Sequence, residues 1–316
     1  MSQLRIGTCS WSFPPWEGFV YTPEETSSYL EQYALRYDMV EVDRWFWSLF
    51  EKGGPRLPKP SDVAEYCQCV GPNFRFTIKA PNAITLTHHR QRTKSDPLVP
   101  NPHFLDPQLF AQFLSLLEPM REMLGPIILQ FGYLNRQHLS GQAELLERLG
   151  HFLDAVPSDY QYAFEIRNPK WLNERHFGFI VDRGLIPVLL EGYWMPPVPN
   201  VYRECRDLIR RCGTVVIRLH GPDREGMDER TGKRWDTLVV RRDEELREIV
   251  DVVRELLDAD VDVYLAINNH YEGCAPKTIE RVRELWAPDR EARHGLPDRQ
   301  IRPAASTDRS EVPRRA

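Results

Sequence analysis

The strongest constraint on this chain is a strict alternation of short β-type runs with helical patterns, repeated eight times. The runs are Leu4–Cys9, Met39–Asp43, Phe74–Lys79, Ile127–Gln130, Tyr162–Arg167, Ile186–Leu190, Thr214–His220 and Val263–Asn268. Helix signals lie between them. Thr22-Pro23-Glu24-Glu25 carries an N-cap residue, a proline at the first helical position and a capping-box glutamate. Asp106-Pro107 opens a helix in the same way, and Ser61, Ser140, Asn168 and Asn200 suit further caps. Between Arg241 and Asp258, Leu246, Ile249, Val250, Val253, Leu256 and Leu257 recur at an amphipathic helical period, and a last helix is expected near Pro276 to Trp286. The alternation predicts an α/β fold, a (β/α)8 TIM-type barrel over residues 1–286. A doubly wound open sheet is the rival, but no Gly-x-Gly-x-x-Gly follows the first strand.

Composition narrows the function classes. At 316 residues, 41% apolar and 11% aromatic, the chain can bury a sizeable core. A net charge of -5 excludes a whole-protein basic field, so binding to nucleic acid would need a local patch. Residues 1–10 show no secretory signal pattern, and no apolar run reaches the length of a bilayer span, so no membrane association is expected. The six cysteines are scattered, and Cys67-Gln68-Cys69 lacks metal or redox spacing; reduced thiols in a cytoplasmic protein are expected. Residues 287–316 are rich in Arg, Asp, Pro and Ser without apolar period, the composition of a disordered tail. The oligomeric state is left open.

Strand parity carries the functional reading. Barrel strands are apolar toward the helices, and their other face fills the interior. With Val40 and Val42 outward, Glu41 and Asp43 point in; with Phe74, Phe76 and Ile78 outward, Thr77 and Lys79 point in. The same rule turns Glu165, Arg167, Arg218, His220 and Asn268 inward, and Gln130 ends the fourth strand likewise. These polar residues collect at the carboxyl ends of the strands, where barrel enzymes build their sites. Buried charges must be paired, hydrated or occupied by ligand. Two states satisfy that rule: a self-neutralising network, with Arg167 and Arg218 balancing Glu41, Asp43 and Glu165, or a polar site for an oxygen-rich substrate.

Several ordered motifs resemble one family. Gly7-Thr8-Cys9-Ser10-Trp11-Ser12-Phe13 resembles its opening Gly-Thr-Ser-Gly-Trp-Ser-Tyr, followed by Trp16 and Tyr21. Val40-Glu41-Val42-Asp43 resembles its Val-Glu-Ile-Asn strand, and Phe76 to His88 its Phe-x-x-Lys-Ala-Pro and Ile-Thr-His segment. Leu124-Gly125-Pro126 to Gln130-Phe131, Phe164 to Trp171, Arg218-Leu219-His220-Gly221 and Asn268-Asn269-His270 complete the series. Together they resemble the YecE-like family, domain of unknown function 72, over about residues 4 to 286. The resemblance implies a TIM-type barrel, similar in broad shape to the xylose-isomerase and endonuclease-IV barrels, and brings no settled substrate. The chain departs from the pattern at Cys9-Ser10, at Asp43, where the family usually has Asn, and at Gln130-Phe131-Gly132-Tyr133.

Two function classes follow. In the first the chain is an enzyme, a hydrolase or isomerase acting on a phosphorylated or polyhydroxylated small molecule. Glu165 is then the base or nucleophile, Glu41 or Asp43 the acid partner, with His220 beside them. Lys79, Arg167 and Arg218 clamp the anion, and Gln130, Asn268, Asn269 and Trp11 hold the rest of the substrate. In the second it is a non-catalytic binder of nucleic acid or another anionic polymer. Its rim would comprise Arg90, Arg92, Lys94, Arg224, Arg230, Lys233 and Arg234 with Trp11, Trp16, Trp45, Phe46, Trp47, Trp194 and Trp235. No cofactor is expected. The acids and His220 could bind a divalent metal, but a metal barrel usually shows several histidines at strand ends, whereas His88, His89 and His270 lie in loops.

Overall fold

Eight strands form in the computed structural model, which describes residues 1–50, 54–91, 93 and 95–286. They are β1 (Leu4–Cys9), β2 (Met39–Val42), β3 (Arg75–Lys79), β4 (Leu124–Phe131), β5 (Tyr162–Ile166), β6 (Ile186–Gly192), β7 (Thr214–Gly221) and β8 (Asp262–Ile267). All pair in parallel and in sequence order, and β1 with β8 closes the barrel. The connections hold α1 (Tyr29–Ala34), α2 (Pro60–Gln68), α3 (Asn82–Thr85), α4 (Pro107–Leu117), α5 (Gln142–Ala155), α6 (Glu174–Asp182), α7 (Val198–Arg210), α8 (Arg224–Thr231), α9 (Asp243–Asp258) and α10 (Ala275–Trp286). Among the described residues no helix is long and apolar enough to cross a membrane. The expected tail at 287–316 lies outside the described residues.

Two separate apolar cores show that the alternation along the strands is real. Val40, Val42, Phe76, Ile78, Phe164, Ile166, Ile217 and Leu265 pack between the barrel and its helices. A smaller set, including Met39, Ile128, Ala163, Val188, Val216 and Tyr264, fills the barrel interior. The interior set forms an apolar floor, and the charged residues of the same strands sit above it toward the carboxyl ends.

Helix starts follow side-chain caps that the sequence pattern only partly reveals. Asp106 caps α4 through the Gln108 and Leu109 N–H groups, as expected. The first helix begins at Tyr29 instead of after Thr22, because Ser28 and Glu31 form a reciprocal capping box. Thr22 is occupied otherwise, its N–H donating to Gln32 Oε1 at 2.7 Å. Asn173, not Asn168, caps α6. Ser61 and Asn200 lie inside α2 and α7, and Gly141 stands between Ser140 and α5.

The seam between β1 and β2 is made by a side chain as well as by backbone. The Tyr33 hydroxyl accepts the Thr8 N–H at 2.8 Å and donates to the Met39 carbonyl at 3.1 Å. Gly7 faces Met39 across this seam. Just beyond it Ser10 adopts φ 72°, held by its N–H to the Glu41 carbonyl at 2.9 Å. That left-handed conformation favours glycine, which the family pattern has at this position. Ser10→Gly is therefore expected to raise stability by up to about 1 kcal/mol, read from urea unfolding, despite the extra freedom of the unfolded chain.

Candidate functional site

Arg218 is the centre of the barrel mouth. It projects inward from β7, is fully buried, and forms a bidentate pair with Glu41 of β2, Nε to Oε2 and Nη2 to Oε1 both at 2.7 Å. Its Nη1 donates to Glu165 Oε2 and, at 3.1 Å, to Gln130 Oε1. Gln130 sits directly beside Glu165 in the β4–β5 register. One guanidinium thus ties together β2, β4, β5 and β7, and its two carboxylate partners are as fully buried as it is. Burial pushes the Glu41 carboxyl up, but Arg218 and Lys79 outweigh it and hold it down at about 2. Glu165 is lowered in the same way, burial opposing and Arg218 and Arg167 prevailing. Both carboxylates stay ionised and both are saturated by donors.

Above this plug lies an arc of donors from three neighbouring strands. Lys79 ends β3, with Nζ 3.3 Å from Glu41 Oε1 and 3.9 Å from Asp43 Oδ2. Gln130 follows on β4, its Oε1 taken by Arg218 and by Arg167 Nη2 at 3.2 Å. Its amide nitrogen has no hydrogen-bond partner among the described residues. Arg167, just past β5, donates Nε to Glu165 Oε1 at 2.9 Å and lies 4.9 Å over the Tyr193 ring. Its Nη1 makes no hydrogen bond among the described residues. Each donor is therefore oriented from below by a buried carboxylate or guanidinium, and Arg167, at 17% side-chain exposure, is the most accessible of the three. Of the three acids, only Asp43 reaches solvent, at 41% side-chain exposure.

His220 completes the floor of the mouth. Its Nδ1 is 3.2 Å from the Tyr193 hydroxyl and its Nε2 is 3.9 Å from Cys9 Sγ. Burial lowers its pKa, and Arg218, Lys79 and Arg167 lower it further, so the imidazole is neutral. Cys9, Glu41 and His220 offer one ligand atom each within 4.8 Å of one another. This trio fits a divalent cation poorly. Glu41 already accepts from Arg218 and Lys79, two cations stand beside the cavity, and burial first, then Glu41, pushes the Cys9 thiol up.

Comparison with known proteins agrees with this barrel. The profile described as protein of unknown function DUF72 matches residues 5–302. The chain belongs to the DUF72 family. A curated relative, the UPF0759 protein YecE of Escherichia coli, is 28% identical over 182 residues, 58% of this chain and 55% of the relative, so the match spans about half its length. A solved DUF72 protein from Thermotoga maritima superposes with a TM-score of 0.63 at 22% identity, covering 90% of this chain and 98% of its own. Another from Enterococcus faecalis gives 0.63 at 19% identity, over 90% and 95%. At these identities the structures establish the shared fold.

In this DUF72 barrel several expected site residues have other work. Asn268 accepts from the His270 N–H at 3.0 Å and orients its ring, whose Nε2 meets Asp228 at 2.9 Å. Asn269 accepts the Ala275 N–H at 2.8 Å, at the start of α10. Trp11 packs edge-on against Tyr66 of α2, at 4.9 Å, with the helix-layer core. Part of the basic rim is paired locally: Arg230 lies near Asp223, Lys233 near Asp228 and Arg234 near Asp236, all within 4 Å. Arg92 and Lys94 lie outside the described residues. Trp16, Trp45 and Trp235 are buried, whereas Trp47 and Trp194 are 58% and 57% exposed.

Parity missed two contributors. Cys9 ends β1 on the inward face, so the rule applied to the other strands would have found it. Tyr193 lies past the last inward position of β6 at φ 54°, a turn that no periodicity announces.

Proposed function

We propose that the mouth of this barrel binds an anionic small molecule, a phosphate ester, and that its reaction is an acid–base hydrolysis or isomerisation. One observation carries the reading: Lys79, Gln130 and Arg167 present oriented donors from adjacent strands while their own acceptors are saturated beneath them. Sugar hydroxyls need donors and acceptors in equal measure, and this mouth is rich in donors but offers Asp43 as its one solvent-reaching carboxylate. That balance favours an oxyanion over a polyol. The six charges of Glu41, Asp43, Glu165, Lys79, Arg167 and Arg218 cancel, so the attraction comes from orientation rather than net charge. The N-terminus of α8, a place where barrels often hold phosphate, is already filled by Asp223, which accepts the Gly226 N–H at 2.9 Å.

The proton-transfer group in this reading is His220, not Glu165. Glu165 is 1% exposed and held by two arginines, so it orients Arg167 and does not reach substrate. His220 is kept neutral by burial and by Arg218, Lys79 and Arg167, so its part is to donate an N–H proton rather than to take one up. The site uses no metal in this reading, since a cation would compete with Lys79 and Arg218 for Glu41. Calorimetric titration with inorganic phosphate and glycerol phosphate tests the anion site. Arg167→Ala and Lys79→Ala are each expected to weaken binding about tenfold or more, the worth of a charge-assisted hydrogen bond. Wild-type binding weaker than roughly 10 mM for every oxyanion tried would sink it.

A further inference from the structure

The donor arc is bracketed by two exposed tryptophans. Trp47 follows β2 and Trp194 follows β6, and in a closed ring of eight sequential strands those two loops stand opposite each other. The arc of Lys79, Gln130 and Arg167 on β3, β4 and β5 runs between them. Each tryptophan is fixed although more than half exposed. The Trp194 indole N–H donates to the Arg167 carbonyl at 3.2 Å, and its ring lies 5.8 Å from Tyr193. Trp47 packs edge-on to Phe46 at 5.1 Å, and Lys79 Nζ lies 5.6 Å over the Phe46 ring. Exposed indole faces are available to stack on a planar ring. The arrangement is ring platform, anion donors, ring platform.

We infer that the ligand has a planar ring on each side of a phosphodiester, the chemistry of a dinucleotide, with one base stacked on Trp47 and the other on Trp194. The inference rests on the anion reading of the same mouth. Rings stack on aromatic side chains regardless of base identity, and the phosphate between them takes the three donors. Two sources share this chemistry, a free dinucleotide and one step of a single strand.

The test is tryptophan fluorescence and calorimetry with adenylyl-adenosine, AMP, ribose 5-phosphate and a deoxyadenosine hexamer. Adenylyl-adenosine is expected to bind about tenfold tighter than AMP, and AMP about tenfold tighter than ribose 5-phosphate. Trp47→Ala and Trp194→Ala, both at exposed positions, should each cost adenylyl-adenosine about tenfold while leaving ribose 5-phosphate unchanged. Equal affinity for the hexamer identifies a free dinucleotide. A much tighter hexamer with steep salt dependence identifies a strand. If ribose 5-phosphate binds and loses its affinity in Arg167→Ala while the two tryptophan variants change nothing, the bracket is wrong and the anion site stands. If no phosphate compound binds, both readings fall together.

Discussion

Arg218→Met is expected to lower the stability of the barrel by about 3–5 kcal/mol, read from urea unfolding followed by circular dichroism. The guanidinium is the shared partner of Glu41 and Glu165, and all three side chains are sealed from solvent. Removing it leaves two buried carboxylates of like charge with only Lys79 and Arg167 at their upper edges. One of them must then protonate or draw in water, and either response costs stability. The companion variant separates pairing from packing. Arg218→Met combined with Glu41→Leu and Glu165→Leu removes the three fully buried ions, leaves Lys79 with Asp43, and should recover part of the loss, because apolar side chains of similar volume replace buried ions at little cost. A single-variant loss below about 1 kcal/mol would mean that solvent reaches the carboxylates and that the layer is not dry.

The second large effect falls on a glycine. An alanine Cβ at Gly7 would overlap the Met39 carbonyl oxygen and lie 3.0 Å from the Tyr33 hydroxyl. The first contact is with backbone, so no rotamer relieves it. Either β1 and β2 separate or the Tyr33 hydroxyl gives up its bridge to Thr8 and Met39. Gly7→Ala is expected to cost about 3 kcal/mol or more. Gly132, just past β4, has open space where an alanine methyl group would stand, with nothing within 4 Å. Gly132→Ala therefore serves as the control and should stay within about 0.5 kcal/mol of wild type. The difference between the two glycines is a direct measure of how closely the first two strands approach.

The eight strands could be read from the sequence because each is a short run of Val, Ile, Leu and Phe between clear breaks. Parity then placed Glu41, Lys79, Glu165, Arg218 and His220 inside, and all five are buried in the structure. What parity does not carry is where a side chain turns after leaving its strand. Asn268 and Asn269 follow β8 and fold back onto their own loop, so they could be placed but not paired. The pairing of three rim cations was hidden for a similar reason. Acids interleave with them in the sequence, and only three dimensions show that Asp223, Asp228 and Asp236 each take one cation. The tryptophans divided by burial, which depends on neighbours contributed by distant loops. Trp16 is covered by Trp235, whose carbonyl takes its indole N–H at 2.9 Å, 219 positions away. The charged cluster is built in two layers, one above the other. Two carboxylates share one guanidinium in the lower layer, and Lys79 and Arg167 above it supply the rest of the positive charge.

The same buried layer has a bearing on how the barrel assembles. A cut between β4 and β5 divides its charges unequally. Glu41, Asp43 and Lys79 remain with the first four strands, leaving one negative charge in excess, while Glu165, Arg167 and Arg218 remain with the last four, leaving one positive. Within this layer, the six site charges of the two halves are thus complementary to each other and mismatched to copies of themselves. Two first halves would meet acid against acid around a cavity with no guanidinium at its centre. Arg218 is therefore the partner that Glu41 of the first half finds only in the second.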